Sequence, residues 1–184
     1  MSTRIPSFAS GLAALGLLAA AAHAQPPAES PTEQHEWLQQ LVGTWDSKAT
    51  ITIPGGGGSF ETEGVSENRM MGGFWLVSEV TSDYGGQEMP ALQQIGFDPK
   101  KQSFIGTWTD ASASRLWTYE GRLSDDGKTL NLESEGPNFL TGKGTAEFRD
   151  SYTVESPDRL KAESFIKQDG KWVPVVEGVA TRRK

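Results

Sequence analysis

Cysteine is absent from all 184 residues, and histidine occurs only twice. Without cysteine no disulfide can staple the chain, so its stability has to come from packing. Zinc sites of the usual His/Cys kind are excluded as well. A haem axial ligand would have to be His35, which is expected to be solvated on a helix. A Ser-His-Asp triad is ruled out by the missing Gly-x-Ser-x-Gly elbow and the scarcity of histidine. Basic residues are also short, 17 against 24 acidic, for a net charge of −7. That balance argues against nucleic acid or an anionic membrane surface as a partner. The basic cluster Arg182–Lys184 is too small to reverse it. Gly136–Gly144 reads GPNFLTGKG, which has one residue too many and a glycine in place of Ser/Thr for a phosphate-binding loop. No carboxylate pair has a spacing that demands acid/base chemistry. No helical pattern follows Gly43, so parallel βαβ units are excluded.

One long apolar run is present. Arg4, the apolar stretch Phe8–Ala22 and the Ala22-His23-Ala24 triplet together read as a signal peptide cleaved after Ala24. The run is too short and too rich in alanine and glycine to serve as a membrane anchor. The expectation is an exported protein, periplasmic or extracellular, with residues 25–32 as a Pro-rich flexible linker and 33–184 as one domain. Loss of Arg4 leaves 16 basic and 24 acidic residues, a net charge of −8. Six Trp and eight Phe, all but Phe8 beyond the signal peptide, supply the packing that disulfides do not.

The stretch HEWLQQLVGTWD, His35–Asp46, organises the remainder. Thr32 can cap a helix beginning at Glu33, and Trp37, Leu38 and Leu41 form its apolar stripe. Gly43 stops the helix. From Thr44 the period changes to two, with Trp45, Ser47, Ala49, Ile51 and Ile53 on one face. Nine further strands follow: Phe60–Met70, Phe74–Ser82, Ala91–Phe97, Ser103–Asp110, Arg115–Leu123, Thr129–Glu135, Thr145–Glu155, Leu160–Gln168 and Trp172–Arg182. Turn signals separate them at short, even spacing, among them Gly72-Gly73, Asp98-Pro99 and Asp169-Gly170. Ten such strands predict an all-β, antiparallel barrel or sandwich with one short N-terminal helix.

The helix followed by Gly-x-Trp resembles the start of lipocalin-type barrels. HEWLQQLVGTWD, GGFWLV, GFDPKKQSFIGTW and LWTYEGRLSDDGKTLNLESEGP together resemble the bacterial domain-of-unknown-function family 1579, from about Glu33 to the C-terminus. That resemblance implies a lipocalin-like, antiparallel up-and-down barrel of about ten strands in exported bacterial proteins. It brings no activity and no site residues.

Candidate site residues come from strand alternation. If Ala111–Ser114 is the loop after the fifth strand, Asp110 pairs with Arg115, Trp108 faces Trp117, and Tyr119 lies over Gly106. This aromatic face should point inward, with Asp110 and Arg115 at the rim. A two-residue Gly72-Gly73 turn would pair Met70 with Trp75 and Ser66 with Glu79. Ser66, Asn68 and Glu79 would then line a wet interior, unless the register slips by one residue and puts Glu79 outside. In lipocalin-type barrels a basic side chain of the last strand commonly covers the Gly-x-Trp tryptophan. First and last strands are therefore expected to adjoin, with Arg182 or Arg183 over Trp45. Three functions fit: a barrel binding a small, partly apolar molecule; a barrel isomerase or hydrolase using Glu79, or Asp110 with Arg115; and a protein-interaction module with a solid core. No cofactor or metal is called for, and the oligomeric state is open.

Overall fold

The computed structural model describes residues 29–184. The expected signal peptide and residues 25–28 of the expected linker lie outside the described residues. Helix α1 (Glu33–Leu38) continues into a 3₁₀ turn (Gln39–Leu41). Ten strands follow: β1 (Gly43–Thr52), β2 (Ser59–Met71), β3 (Trp75–Asp83), β4 (Glu88–Asp98), β5 (Ser103–Asp110), β6 (Trp117–Leu123), β7 (Thr129–Pro137), β8 (Thr145–Ser156), β9 (Arg159–Gln168) and β10 (Lys171–Arg182). Each pairs antiparallel with the next, and β1 closes on β10. The result is the expected closed up-and-down barrel, in which no strand edge is left open. Gly43 has φ +125°, a conformation open mainly to glycine, and there the helical turn gives way to β1.

The helix closes one end. Its first turn is held by the Thr32 N–H, which donates to His35 Nδ1 at 3.0 Å. Leu38 and Leu41 are buried, and Trp37 reaches across to donate from Nε1 to the Gly127 carbonyl at 2.8 Å. Beneath them Trp45, Leu76, Ile95, Phe104, Leu130 and Leu160 form the apolar floor of the barrel. Burying side chains of this size stabilises by about 1.5–3 kcal/mol each. His35 corrects an expectation. It is buried, not solvated, with its ring edge-on to Phe74 at 5.3 Å and to Phe97 at 5.9 Å. Both phenylalanines are distant in sequence, so helix position alone did not reveal the contact.

The β2–β3 hairpin carries the second correction. Its ladder ends at Met71↔Trp75, leaving Gly72, Gly73 and Phe74 as a three-residue turn. Adding Phe74 to the turn shifts the register by one. Met70 therefore pairs with Leu76, Asn68 with Ser78 and Ser66 with Val80, while Glu79 faces Glu67 on the outer surface. A one-residue slip exchanges the two faces of a strand, and Glu79 is accordingly exposed. Trp75 is likewise outside, its ring laid over Gly96, where a Cβ would come within 2.6 Å of it. The β5–β6 register agrees with expectation, pairing Trp108 with Trp117, Gly106 with Tyr119 and Phe104 with Gly121. The ladder stops at Trp117, however. Residues 111–116 form the loop, and Asp110 pairs with Ala91 of β4 instead of Arg115.

Candidate functional site: the barrel interior

Following the registers around the barrel assigns every inward side chain. Above the apolar floor, the inward positions change character. Ser47 of β1, Ser66 and Asn68 of β2, Ser78 of β3 and Gln93 of β4 make one wall polar. Tyr119 of β6, Tyr152 and Asp150 of β8 and Ser164 of β9 add polar groups on the other. Between these walls the interior is not filled. A cavity of about 160 Å³ is lined by Leu41, Trp45, Leu76, Trp108, Leu160 and Ala162 together with the polar groups Ser47, Ser66, Asn68, Ser78, Gln93 and Tyr152. An apolar cavity of about 150 Å³ is enough to admit benzene.

Two hydrogen-bonded groups organise the polar layer. Gln93 Nε2 donates to the Tyr152 hydroxyl at 2.9 Å, which ties β4 to β8 across the lumen. One layer closer to the open end, Asp150 accepts from the Tyr119 hydroxyl at 2.5 Å on Oδ2 and from Ser164 Oγ at 2.6 Å on Oδ1. Protein atoms surround this carboxyl, and burial pushes its pKa above the usual carboxylate range despite the two hydroxyl donors. Burial also pushes both tyrosines well above the ordinary phenol value, and the neighbouring Asp150 charge adds to the shift. Asp150 nonetheless keeps some accessible surface, and on its face of β8 it stands next to Tyr152, which lines the cavity. At the floor, Asn68 donates from Nδ2 to the Leu41 carbonyl at 2.8 Å, while its buried Oδ1 has no partner among the described residues. An unsatisfied buried acceptor costs about 1–3 kcal/mol.

Of the residues singled out from sequence, Ser66, Asn68 and Trp108 line the cavity. Tyr119 faces inward in the adjoining layer. Trp117 is also inward but nearer the mouth, with its ring edge-on to Phe148 at 5.2 Å and lying on Gly136. The expected Asp110–Arg115 rim pair does not form. Asp110 accepts from Trp108 Nε1 at 2.8 Å and from the backbone and hydroxyl of Ser112, which lower its pKa against the desolvation that raises it. Arg115 instead lies over the Trp117 ring at 5.3 Å. Trp75 and Glu79 take no part in the interior. Asp150, Tyr152, Gln93 and Ser164 were missed. The available signal was β8 itself, where Phe148, Asp150, Tyr152 and Val154 share one parity and place an acid on the apolar face.

The closed end is locked by the last strand. Trp45 pairs with Arg182, whose guanidinium sits 4.1 Å from the indole centroid. The same group donates to the carbonyls of Val42, Gln40 (3.0 Å) and Pro157 (2.8 Å). Trp45 Nε1 donates to the Leu41 carbonyl at 2.9 Å. Arg183 points to the outer face and pairs with Asp46.

Other concavities lie outside the lumen. One, about 770 Å³, is a trough over β10 and β1–β3 bounded by Asp46, Lys48, Glu63, Asp83 and Arg159. Most of its lining residues point outward, so it is a groove between surface side chains and not an enclosed site. Among the described residues no three His, Cys, Asp or Glu side chains converge as metal ligands.

Comparison with solved structures returns the same barrel. The Rv2717c protein of M. tuberculosis superposes with a TM-score of 0.60 at 15% identity, covering 84% of this chain and 100% of that one. The S-type phycobiliprotein lyase CPES of Guillardia theta superposes at 0.55 and 15% identity, covering 82% and 93%. At this identity the likeness is one of fold. No curated protein matches the chain. The family model described as "Protein of unknown function (DUF1579)" matches residues 30–182, and the chain belongs to that family.

Proposed function

We propose that this protein is an exported carrier or sensor that binds one small, partly apolar molecule inside the barrel. The observation that carries the proposal is the unfilled interior. It combines apolar and aromatic surface from Leu76, Trp108, Leu160 and Ala162 with a few fixed polar groups from Asn68, Gln93 and Tyr152. Ligand sites have this composition because apolar contact supplies affinity and sparse polar groups fix orientation. A solid-core interaction module would have no such space. Enzymatic use of Glu79 is set aside by its place on the outer surface. Asp150 is the carboxylate that remains inside, but both its oxygens already accept hydroxyl protons, an arrangement better suited to anchoring a ligand than to taking a proton from one. Export rests on the Arg4, Phe8–Ala22 and Ala22-His23-Ala24 pattern. It is checked by the N-terminus of the protein recovered from an expressing cell, which should begin at Gln25.

Tryptophan fluorescence tests the binding. Trp108 lines the cavity, so titration with 2-phenylethanol or another one-ring solute should change emission saturably. Ala162→Phe, which projects a ring into the cavity, should abolish that change while the protein remains folded. A response that is linear in solute and the same in Ala162→Phe would overturn the proposal.

A further inference from the structure

The lumen has a surplus of acceptors. Asp150 is an inward-facing carboxylate whose hydrogen-bond partners among the described residues are the neutral hydroxyls of Tyr119 and Ser164. Asn68 Oδ1 is buried and has no donor among the described residues. On the inward parity of the strands, the basic residues among those described are Arg182 and Lys171. Arg182 is committed to Trp45 and to backbone carbonyls at the floor, and Lys171 is exposed at the mouth. Arg115, also at the mouth, lies over Trp117. Among the described residues, therefore, no cation faces Asp150. A buried carboxylate is normally paired, because desolvation of an isolated charge is costly.

The surroundings suit a cation supplied from outside. Tyr119, Tyr152 and, towards the mouth, Trp117 bring ring surface into the layers around Asp150, and aromatic faces attract ammonium groups. Trp108 and the apolar floor offer a cavity the size of one ring below.

We propose that the ligand is a small primary amine on an apolar, ring-sized body, bound as its ammonium ion against the Asp150 carboxylate, with the body in the cavity beside Trp108 and Tyr152. This rests on the binding function proposed above and specifies its ligand class. The ammonium donates to Asp150 and supplies the missing counter-charge. The Tyr119 and Ser164 hydroxyls stay on the carboxylate and hold it in place. Binding should then depend on the protonation of Asp150. The titratable groups facing it are Tyr119 from β6 and Tyr152 from β8, both neutral phenols at ordinary pH. The remaining neighbours, Leu132 of β7, Ser164 of β9 and Gln93 of β4, do not titrate. Amine affinity should fall as pH drops and Asp150 takes up a proton.

The test compares three probes that share a phenylethyl body, 2-phenylethylamine, 2-phenylethanol and 3-phenylpropanoate, by calorimetry and tryptophan fluorescence. The amine should bind about 10- to 100-fold more tightly than the alcohol, the advantage expected of a hydrogen bond to a charged group. The carboxylate should bind least. In Asp150→Asn the preference for amine over alcohol should vanish. Tyr119→Phe, which keeps the carboxylate, should retain the preference in weakened form and guards against Asp150→Asn failing to fold. Equal binding of amine and alcohol to the wild type, or an unchanged preference in Asp150→Asn, would overturn the amine assignment and leave the binding function standing. Binding of none of the three would overturn both.

Discussion

Replacing Arg182 by alanine perturbs the closure of the barrel at one point. Its guanidinium covers Trp45 at 4.1 Å and donates to three carbonyls, those of Gln40, Val42 and Pro157. The stacking is worth about 0.5–2 kcal/mol. A charged hydrogen bond can add about 1.5–3 kcal/mol when desolvated, but the Arg182 side chain keeps 27% of its surface exposed. Water can replace part of what is lost, so the net cost is expected to be about 2–3 kcal/mol, not the sum. For a domain of this size each kcal/mol lowers Tm by about 2–4 °C. Arg182→Ala should therefore melt about 4–12 °C below the wild type. Urea unfolding should show the same loss with an unchanged slope. Arg182→Lys keeps the charge but cannot lie flat or fork between carbonyls, so it should recover little. Arg183→Ala removes an exposed pair with Asp46 and should cost under about 1 kcal/mol. Equal Tm values for Arg182→Ala and Arg183→Ala, or full recovery by lysine, would refute this account of the closure.

Other consequences follow from the interior. Asp150 binds its proton more tightly in the folded protein than in the unfolded chain, whose carboxylates titrate near 4. Its contribution to stability is therefore fully present below that value and lost as pH rises through its raised folded pKa. Asp150→Asn should remove this component from the pH dependence of urea unfolding and raise stability at neutral pH; an unaltered profile would contradict the shift. Burial raises the pKa of Tyr119 and Tyr152, so absorbance titration should show neither ionising near the ordinary ~10 while the protein stays folded. Gly136→Ala would place a methyl group against the Trp117 ring. It should cost about 1–3 kcal/mol and shift tryptophan emission, and a spectrum identical to the wild type would count against the packing described at the mouth.

Much of the architecture was legible because strand alternation and turn residues are local. The Trp108↔Trp117 and Gly106↔Tyr119 pairs could be placed because the aromatic and glycine positions alternate in phase on both strands. The β2–β3 hairpin misled for a physical reason. Gly72-Gly73 satisfies a two-residue turn as readily as a three-residue turn that includes Phe74, and in the fold Phe74 joins the turn and packs against His35 of the helix, a contact no local pattern displays. Asp110 and Arg115 failed as a pair because Asp110 found partners close by in the chain, in Trp108 of its own strand and Ser112 of the loop. The polar centre was the least visible part. Tyr119, Gln93 and Ser164 come to the Asp150–Tyr152 segment from three other strands. Only the acid on the apolar parity of β8 could have pointed to it.

The central claim is that the barrel interior holds a small, partly apolar molecule, and the most direct measurement is a crystal of this protein soaked in iodobenzene. Anomalous scattering from the iodine locates the solute without interpretation of weak density. The account predicts an iodine peak inside the barrel, among Trp108, Leu160 and Ala162. Iodine found only on the outer surface, with the interior closed over by its own side chains, would contradict it.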